Sequence, residues 1–210
     1  MRQQQKILYE TIMSARAGGA LKIDAPFLTF GEVLEGVREI VKEIAADYGA
    51  VPANTVQTWM KSRLSIQADR PTRNRLYSGL DLIRIASVYY LVHVAKVDFG
   101  LAIHMVDFGM DELDRDSRHF APDVSPLQEF HPAGYIIARP AQTAGEWTIA
   151  SADDADLLHK HLMRGACATV FNFALVVWFA SGIALDRWDA KAAWLMDAME
   201  REIAKRKGKR

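Results

Sequence analysis

The chain has 210 residues, of which half are apolar, a tenth aromatic and a quarter charged, so it can bury a real core and is not a disordered polyelectrolyte. Lys plus Arg and Asp plus Glu balance at 26 each; this excludes a uniformly basic nucleic-acid coat but not a local basic patch, on which DNA affinity depends. A single cysteine, Cys167, rules out an intramolecular disulfide and any multi-cysteine metal site, and the expected location is the reducing cytoplasm.

The first 19 residues lack an apolar signal core and predict a short amphipathic helix with Ile7, Leu8, Ile12 and Met13 inward. Residues 18–30 contain two Gly, one Pro and little periodicity, so they are expected to connect, with helix from about Gly31. Over residues 36–48, Val37, Ile40, Val41, Ile44, Ala45 and Tyr48 share one helical face that stops at Gly49. A second helix is predicted just beyond, with Pro52 at its start, Asn54 and Thr55 as caps, and Val56, Trp59 and Met60 on its inner side. Gln57, Thr58, Lys61 and Arg63 then face outward. Amides and hydroxyls there can pair with base edges, while Lys and Arg neutralise phosphates.

Residues 62–77 carry Arg63, Arg70, Arg73 and Arg75 against one acid, Asp69, with Arg-Pro and Arg-Asn steps that favour a turn between two short extended arms. Helix, turn, helix and basic wing together predict a DNA-binding unit. Its expected contacts are Thr55, Gln57, Thr58, Lys61, Arg63, Arg70, Arg73, Asn74, Arg75 and Tyr77.

The run NTVQTWMKSRL, followed by RPTRNRLYSGLDLIRI and YYLVHVAKVDFGLAI, resembles the winged helix-turn-helix of MerR-type transcriptional regulators over residues 44–106. Arg75, Leu76 and Tyr77 match that family's Arg-x-Tyr, Asp81 and Leu82 its Asp-Leu, and Asp98-Phe99 stands near its inter-helix hinge. Gln57, Trp59 and Asn74 replace the family's usual Arg, Tyr and aromatic residue. The resemblance implies a DNA-binding regulator whose wing and recognition helix contact the duplex.

Beyond the wing, residues 81–95 and 99–113 are expected to form a helix pair, the first apolar on most sides. Residues 111–132 are acidic, hold three prolines and read as a linker; Asp114, Asp116, His119 and His131 are expected to be solvated rather than ligands. His93 and His104 are expected to be ordinary core or surface groups. Residues 134–138 and 146–151 predict a hairpin with a Gly near its turn. Ser151, followed by Asp153 and Asp154, predicts an N-cap for a helix to about Arg164, with His159 and His161 on its surface.

Residues 166–185 are the most apolar stretch and approach the ~20 residues that span a bilayer. Asn172, Ser181 and Gly182 favour a buried helix or a dimer interface instead. From Asp186 onward, Trp188, Ala192, Leu195, Met199 and Ile203 recur at steps of three and four and predict a last amphipathic helix, ending in a basic tail.

The expected fold is mainly α with small β elements. Residues 1–110 would form a winged helix-turn-helix domain with an N-terminal helical extension, 111–132 a linker, and 133–210 a small α/β region for dimerisation or sensing. No coiled-coil helix is expected after residue 113, so Val170, Phe171, Phe173, Val176, Val177, Phe179, Trp188 and Trp194 are the expected dimer contacts. No Gly-rich phosphate loop, nucleophile elbow or paired-histidine motif occurs, so neither enzymatic activity nor a metal or other cofactor is expected. The function read from the sequence is a cytoplasmic, homodimeric, sequence-specific DNA-binding transcriptional regulator with no membrane contact and an effector, if any, left unspecified. The alternatives are a phage-type DNA-binding factor, such as an excisionase or packaging subunit, or a non-enzymatic protein–protein interaction module.

Overall fold

The computed structural model describes residues 26–45, 51–62, 64, 76–115, 134–141, 143, 145–152, 155–163 and 167–207. The amphipathic segment expected at residues 1–19, the wing between residues 65 and 75, and the linker from residue 116 to 132 lie outside the described residues. Within them the protein is mainly helical, with one small antiparallel sheet.

The first described helix, α1, spans Phe30–Ile44. Thr29 and Glu32 form a capping box: the Thr29 hydroxyl accepts from the Glu32 N–H, and the Glu32 carboxylate accepts from the Thr29 N–H at 2.7 Å. Val33, Val37, Ile40 and Val41 turn one stripe into the core, as the sequence spacing predicts. The helix stops earlier than residue 48, because Ala45 leaves helical geometry at φ −141°. Helix α2 spans Ala53–Ser62.

Residues 27 and 28, expected in a connector, are fully buried. Leu28 and Tyr77 exchange backbone hydrogen bonds of 2.7 and 2.8 Å in an isolated antiparallel bridge, which satisfies polar groups that burial would otherwise strand. That bridge brings the chain after residue 75 back beside the start of α1. A second capping box follows, with Ser78 and Asp81 opening helix α3, Gly79–Tyr89. Thus Asp81 is the N3 partner of a cap, and Leu82 after it is fully buried.

Helix α3 is the hub. Leu82, Ile83, Ile85, Ala86, Ser87 and Val88 are all buried, so it has scarcely any solvent face. Gly36 of α1 permits a close approach: a Cβ there would lie 3.0 Å from Leu82 and 3.4 Å from Ile183. The helix widens into a π turn over Tyr90–Val94, reverses through Lys96 at φ +58°, and restarts as α4, Phe99–Arg115. The Asp98 carboxylate accepts from the N–H groups of Gly100 and Leu101 and so opens α4. Arg84 of α3 and Asp107 of α4 pair across the helices. Residues 111–115, expected in the linker, extend α4, with Leu113 buried.

Strands β1, Tyr135–Pro140, and β2, Trp147–Ala152, form the expected hairpin, with Gly145 at φ +86° in its turn. Ser151 therefore pairs in a strand rather than capping a helix, and helix α5 spans only Ala155–Leu162. A third strand, β3, Thr169–Phe171, lies along the other side of β1, giving the order β2-β1-β3. Alternate residues divide between the two faces. Ile136, Ala138 and Phe171 join the main core, whereas Ile137 and Ala152 are buried on the opposite face, with α5 packed beside β2.

The last helix, α6, runs unbroken over Phe173–Lys207. It joins the two segments that the sequence divides near residue 186. The Asn172 side chain accepts from the Leu175 N–H at 3.1 Å at its start. Phe173, Val176, Val177, Ala180, Ala184 and Trp188 then form a row at steps of three and four, packed on α3 and α1. The described residues on both sides of the expected 111–132 linker thus contribute to one hydrophobic core. No helix among the described residues is long and apolar enough to cross a membrane.

Candidate nucleic-acid interface

Helix α2 separates its residues sharply by environment. Val56 is fully buried and Met60 nearly so, while Asn54, Gln57 and Thr58 are exposed and Thr55 is half-buried. The polar outward edge expected from the spacing is therefore present at Gln57 and Thr58. The side chains of Lys61, Arg63, Arg70, Arg73, Asn74 and Arg75 lie outside the described residues. Tyr77, one of the expected contacts, is 9% exposed and packs in the core, paired with Leu28.

Four rings anchor α2 to the hub. Trp59 stacks on His93 at 5.0 Å between centroids and 17° between planes, and meets Phe99 at 5.1 Å and Tyr89 at 5.8 Å. Tyr89 and His93 lie 4.5 Å apart. These rings belong to α2, the end of α3, the π turn and the first residue of α4, so one indole ties α2 to those three neighbouring elements. Such ring pairs add about 0.5–1.5 kcal/mol each beyond area burial. A second tether comes from α1: the Arg38 guanidinium donates to the Val51 carbonyl at 3.2 and 3.4 Å.

Burial of the His93 ring, together with the positive charge of Lys96, lowers its pKa below the ordinary histidine value, and among the described residues its buried Nε2 has no hydrogen-bond partner. His93 is thus a half-buried ring packed on Trp59 and Tyr89. His104 is exposed.

Compared with known proteins, the chain matches no protein-family model and no curated protein.

The apolar residues expected at a dimer contact are mostly used within the chain. Phe171, Phe173, Val176, Val177 and Trp188 are buried in its own core; Phe171 rests on Tyr90 at 5.8 Å, and Trp188 meets Phe27 edge-on at 5.2 Å. Phe179 is half-buried, and only Val170 and Trp194 of the set are exposed. The physical reason is that α6 lays this row against α3 and α1, whose apolar sides it covers.

Among the described residues, no group of three or more His, Cys, Asp or Glu could hold a metal ion. Asp116, His119 and His131 and the side chain of Asp114 lie outside them. His159 is exposed, and the half-buried His161 accepts at its backbone carbonyl from Arg139 at 3.5 Å.

Reading the sequence by spacing locates Val56, Met60 and Gln57 correctly but misses Arg38, His93 and Phe99 as supports of α2. Their contacts join residues far apart in the chain, which a single-helix period cannot register. The remaining signal was compositional: aromatic or imidazole rings at 59, 89, 93 and 99 flank two turns.

Proposed function

We propose that the protein is a cytoplasmic, sequence-specific DNA-binding transcriptional regulator of MerR-like, winged helix-turn-helix type, acting as a homodimer. The observation that carries this reading is the division of α2, with Val56 and Met60 buried, Gln57 and Thr58 exposed, and the helix braced from behind by Trp59. A helix presented in this way offers amide and hydroxyl groups to base edges in a major groove. Its C-terminal end leads directly into the segment holding Arg63, Arg70, Arg73 and Arg75, which returns at the Leu28–Tyr77 bridge. The bridge fixes the exit of that segment, at Tyr77, beside Leu28 just before α1. In this reading the arginines supply the salt-dependent phosphate term, and Gln57 and Thr58 supply choice among sequences.

The homodimer is expected to form through the C-terminal half, where Val170 and Trp194 remain exposed. A single recognition helix and wing bury only about 600–1,000 Å² on DNA, and pairing on two half-sites is the usual remedy. Gel-shift titration over a salt series tests the proposal. The reading expects binding that weakens steeply with salt, with Arg75→Ala lowering affinity for all duplexes and the salt slope by about one. Binding that ignores salt, or is unaffected by Arg75→Ala, would sink it.

A further inference from the structure

One imidazole lies at the join between α2 and the elements behind it. His93, in the π turn, is stacked on Trp59 of α2 at 5.0 Å and 17°, and Tyr89 at the end of α3 lies 4.5 Å from it. The ring is half-buried, and its Nε2 has no contact with solvent and, among the described residues, no hydrogen-bond partner. A neutral imidazole tolerates this, because its proton can sit on Nδ1 and leave Nε2 as a bare lone pair. An imidazolium does not. Both of its nitrogens carry N–H, and the enclosed Nε2–H has neither water nor an acceptor for its share of the charge.

The surrounding elements do not supply a compensating anion. The side chains of α2 from Ala53 to Met60 carry no charge, and that of Lys61 lies outside the described residues. Beyond the π turn, Lys96 adds a positive charge, which together with burial holds the imidazole below its ordinary pKa. On α3, Asp81 is taken up by the capping box with Ser78, and Arg84 pairs with Asp107 of α4. At the start of α4 the Asp98 carboxylate accepts from Gly100 and Leu101, His104 is exposed, and Asp111 and Glu112 lie three turns further on. The phenol rings nearby are Tyr89, on His93 itself, and Tyr90, which rests on Phe171. The indole face offers an imidazolium some cation–π attraction, but it gives Nε2 no acceptor.

We infer that His93 is a proton-operated latch on α2: uncharged, its ring holds Trp59 and with it the helix against the hub, and on protonation it releases the indole and loosens α2. The latch itself does not depend on what α2 binds. Its consequence for recognition rests on the DNA-binding reading, in which a loosened α2 presents Gln57 and Thr58 less firmly. The sign follows from linkage. A histidine whose pKa is lowered in the closed arrangement favours that arrangement fully above its ordinary value of about 6.5, and the preference is lost as pH falls from there toward the lowered value. At pH 5.5 a released ring is protonated about ten to one, so the ratio of closed to released α2 falls by at most about tenfold.

Magnetic resonance and hydrogen exchange on the full chain between pH 7.5 and 5.5 test the latch. In the parent the His93 imidazole should titrate at lower pH than the exposed His104 and His159 of the same chain, and the Trp59 indole N–H signal should move with the His93 midpoint. The variant His93→Phe keeps a ring beside Trp59 but cannot take up a proton. Over the same pH range the amides of residues 57–60, corrected for the intrinsic pH dependence of exchange, should lose about three- to tenfold more protection in the parent than in that variant. A His93 midpoint at or above those of His104 and His159, a Trp59 signal indifferent to it, or equal losses in parent and variant would overturn the latch. The parent titration decides by itself if the variant does not fold. A parent that shows the acid loss at α2 yet binds no duplex at pH 7.5 supports the latch and contradicts the DNA-binding reading.

Discussion

Helices α2 and α3 are of similar length and lie next to each other, yet they stand in opposite relations to solvent. Helix α3 buries residues on nearly every side, with Leu82, Ile85, Ala86 and Val88 fully enclosed, whereas α2 encloses Val56 and Met60 and leaves Gln57 and Thr58 in water. A helix enclosed all round has no surface left for recognition and serves stability. A helix fixed along one side and held by a single aromatic tether can present its other side to a partner at little cost to the fold. The contrast divides substitutions into those that unfold the protein and those that alter only what it binds.

The largest effect is expected in the hub. Ile85→Ala removes a fully buried side chain from α3 and should destabilise by about 2–5 kcal/mol, read as a loss in the midpoint of urea unfolding. A loss under 1 kcal/mol would show that α3 is not the centre of the core.

Next comes the tether. Trp59 is half-buried rather than enclosed, so Trp59→Ala should cost about 2–3 kcal/mol, less than the full burial value for an indole. Because His93 and Phe99 lose their common partner, DNA affinity should fall as well, by more than the same change at an exposed site. A Trp59→Ala protein that melts like the parent would remove the tether from the account.

A smaller effect is expected at the seam between α1 and α6. Burial alone would raise the Glu32 pKa, but hydrogen bonds from Lys191 and from the Thr29 N–H and hydroxyl outweigh it, and the net shift is downward. A carboxylate with a depressed folded-state pKa contributes stability above its unfolded pKa, and that stability is lost as pH falls through the folded pKa. Lys191→Met removes the ammonium that donates to the Phe27 carbonyl and to Glu32, leaving Glu32 the Thr29 donors alone. It should cost about 1–3 kcal/mol at pH 7 and flatten the stability loss below about pH 4.5. An unaltered acid limb in that variant would show that the pair contributes nothing to acid stability.

Much of this architecture was legible in the chain, and the failures have common causes. Apolar steps of three and four located α1, α2 and α3, and a glycine between two β-rich runs located the hairpin at Gly145. Strand β3 escaped because Thr169–Phe171 is three residues inside a longer apolar run, where helix and strand periods cannot be told apart. Helix α6 read as two pieces because the apolar stretch of residues 166–185 gives way to an amphipathic pattern at Asp186, and Gly182 lies near that change. An interior glycine costs only about 1 kcal/mol, and the rows packed on either side of it, Val177 to Ala180 and Ala184 to Trp188, outweigh that. Ser151 looked like a cap, but its residue is paired opposite Ile136. At the candidate interface the inward and outward edges of α2 were readable, while the ring cluster and the Arg38 tether depend on contacts between elements that no local pattern records.

The smallest effect on stability, and the most direct test of the central claim, belongs to Gln57. Gln57→Ala should leave the unfolding midpoint within about 0.5 kcal/mol of the parent, since the side chain is exposed on α2. The deciding measurement is competitive binding of parent and Gln57→Ala to duplexes selected from a random pool by the parent protein and then varied one base pair at a time. The account predicts that the parent enriches a defined sequence and that the variant loses about 1–3 kcal/mol of discrimination at one base position while retaining its salt dependence. A parent that enriches no sequence, or a variant with an identical base profile, would contradict the assignment of α2 as the helix that reads DNA.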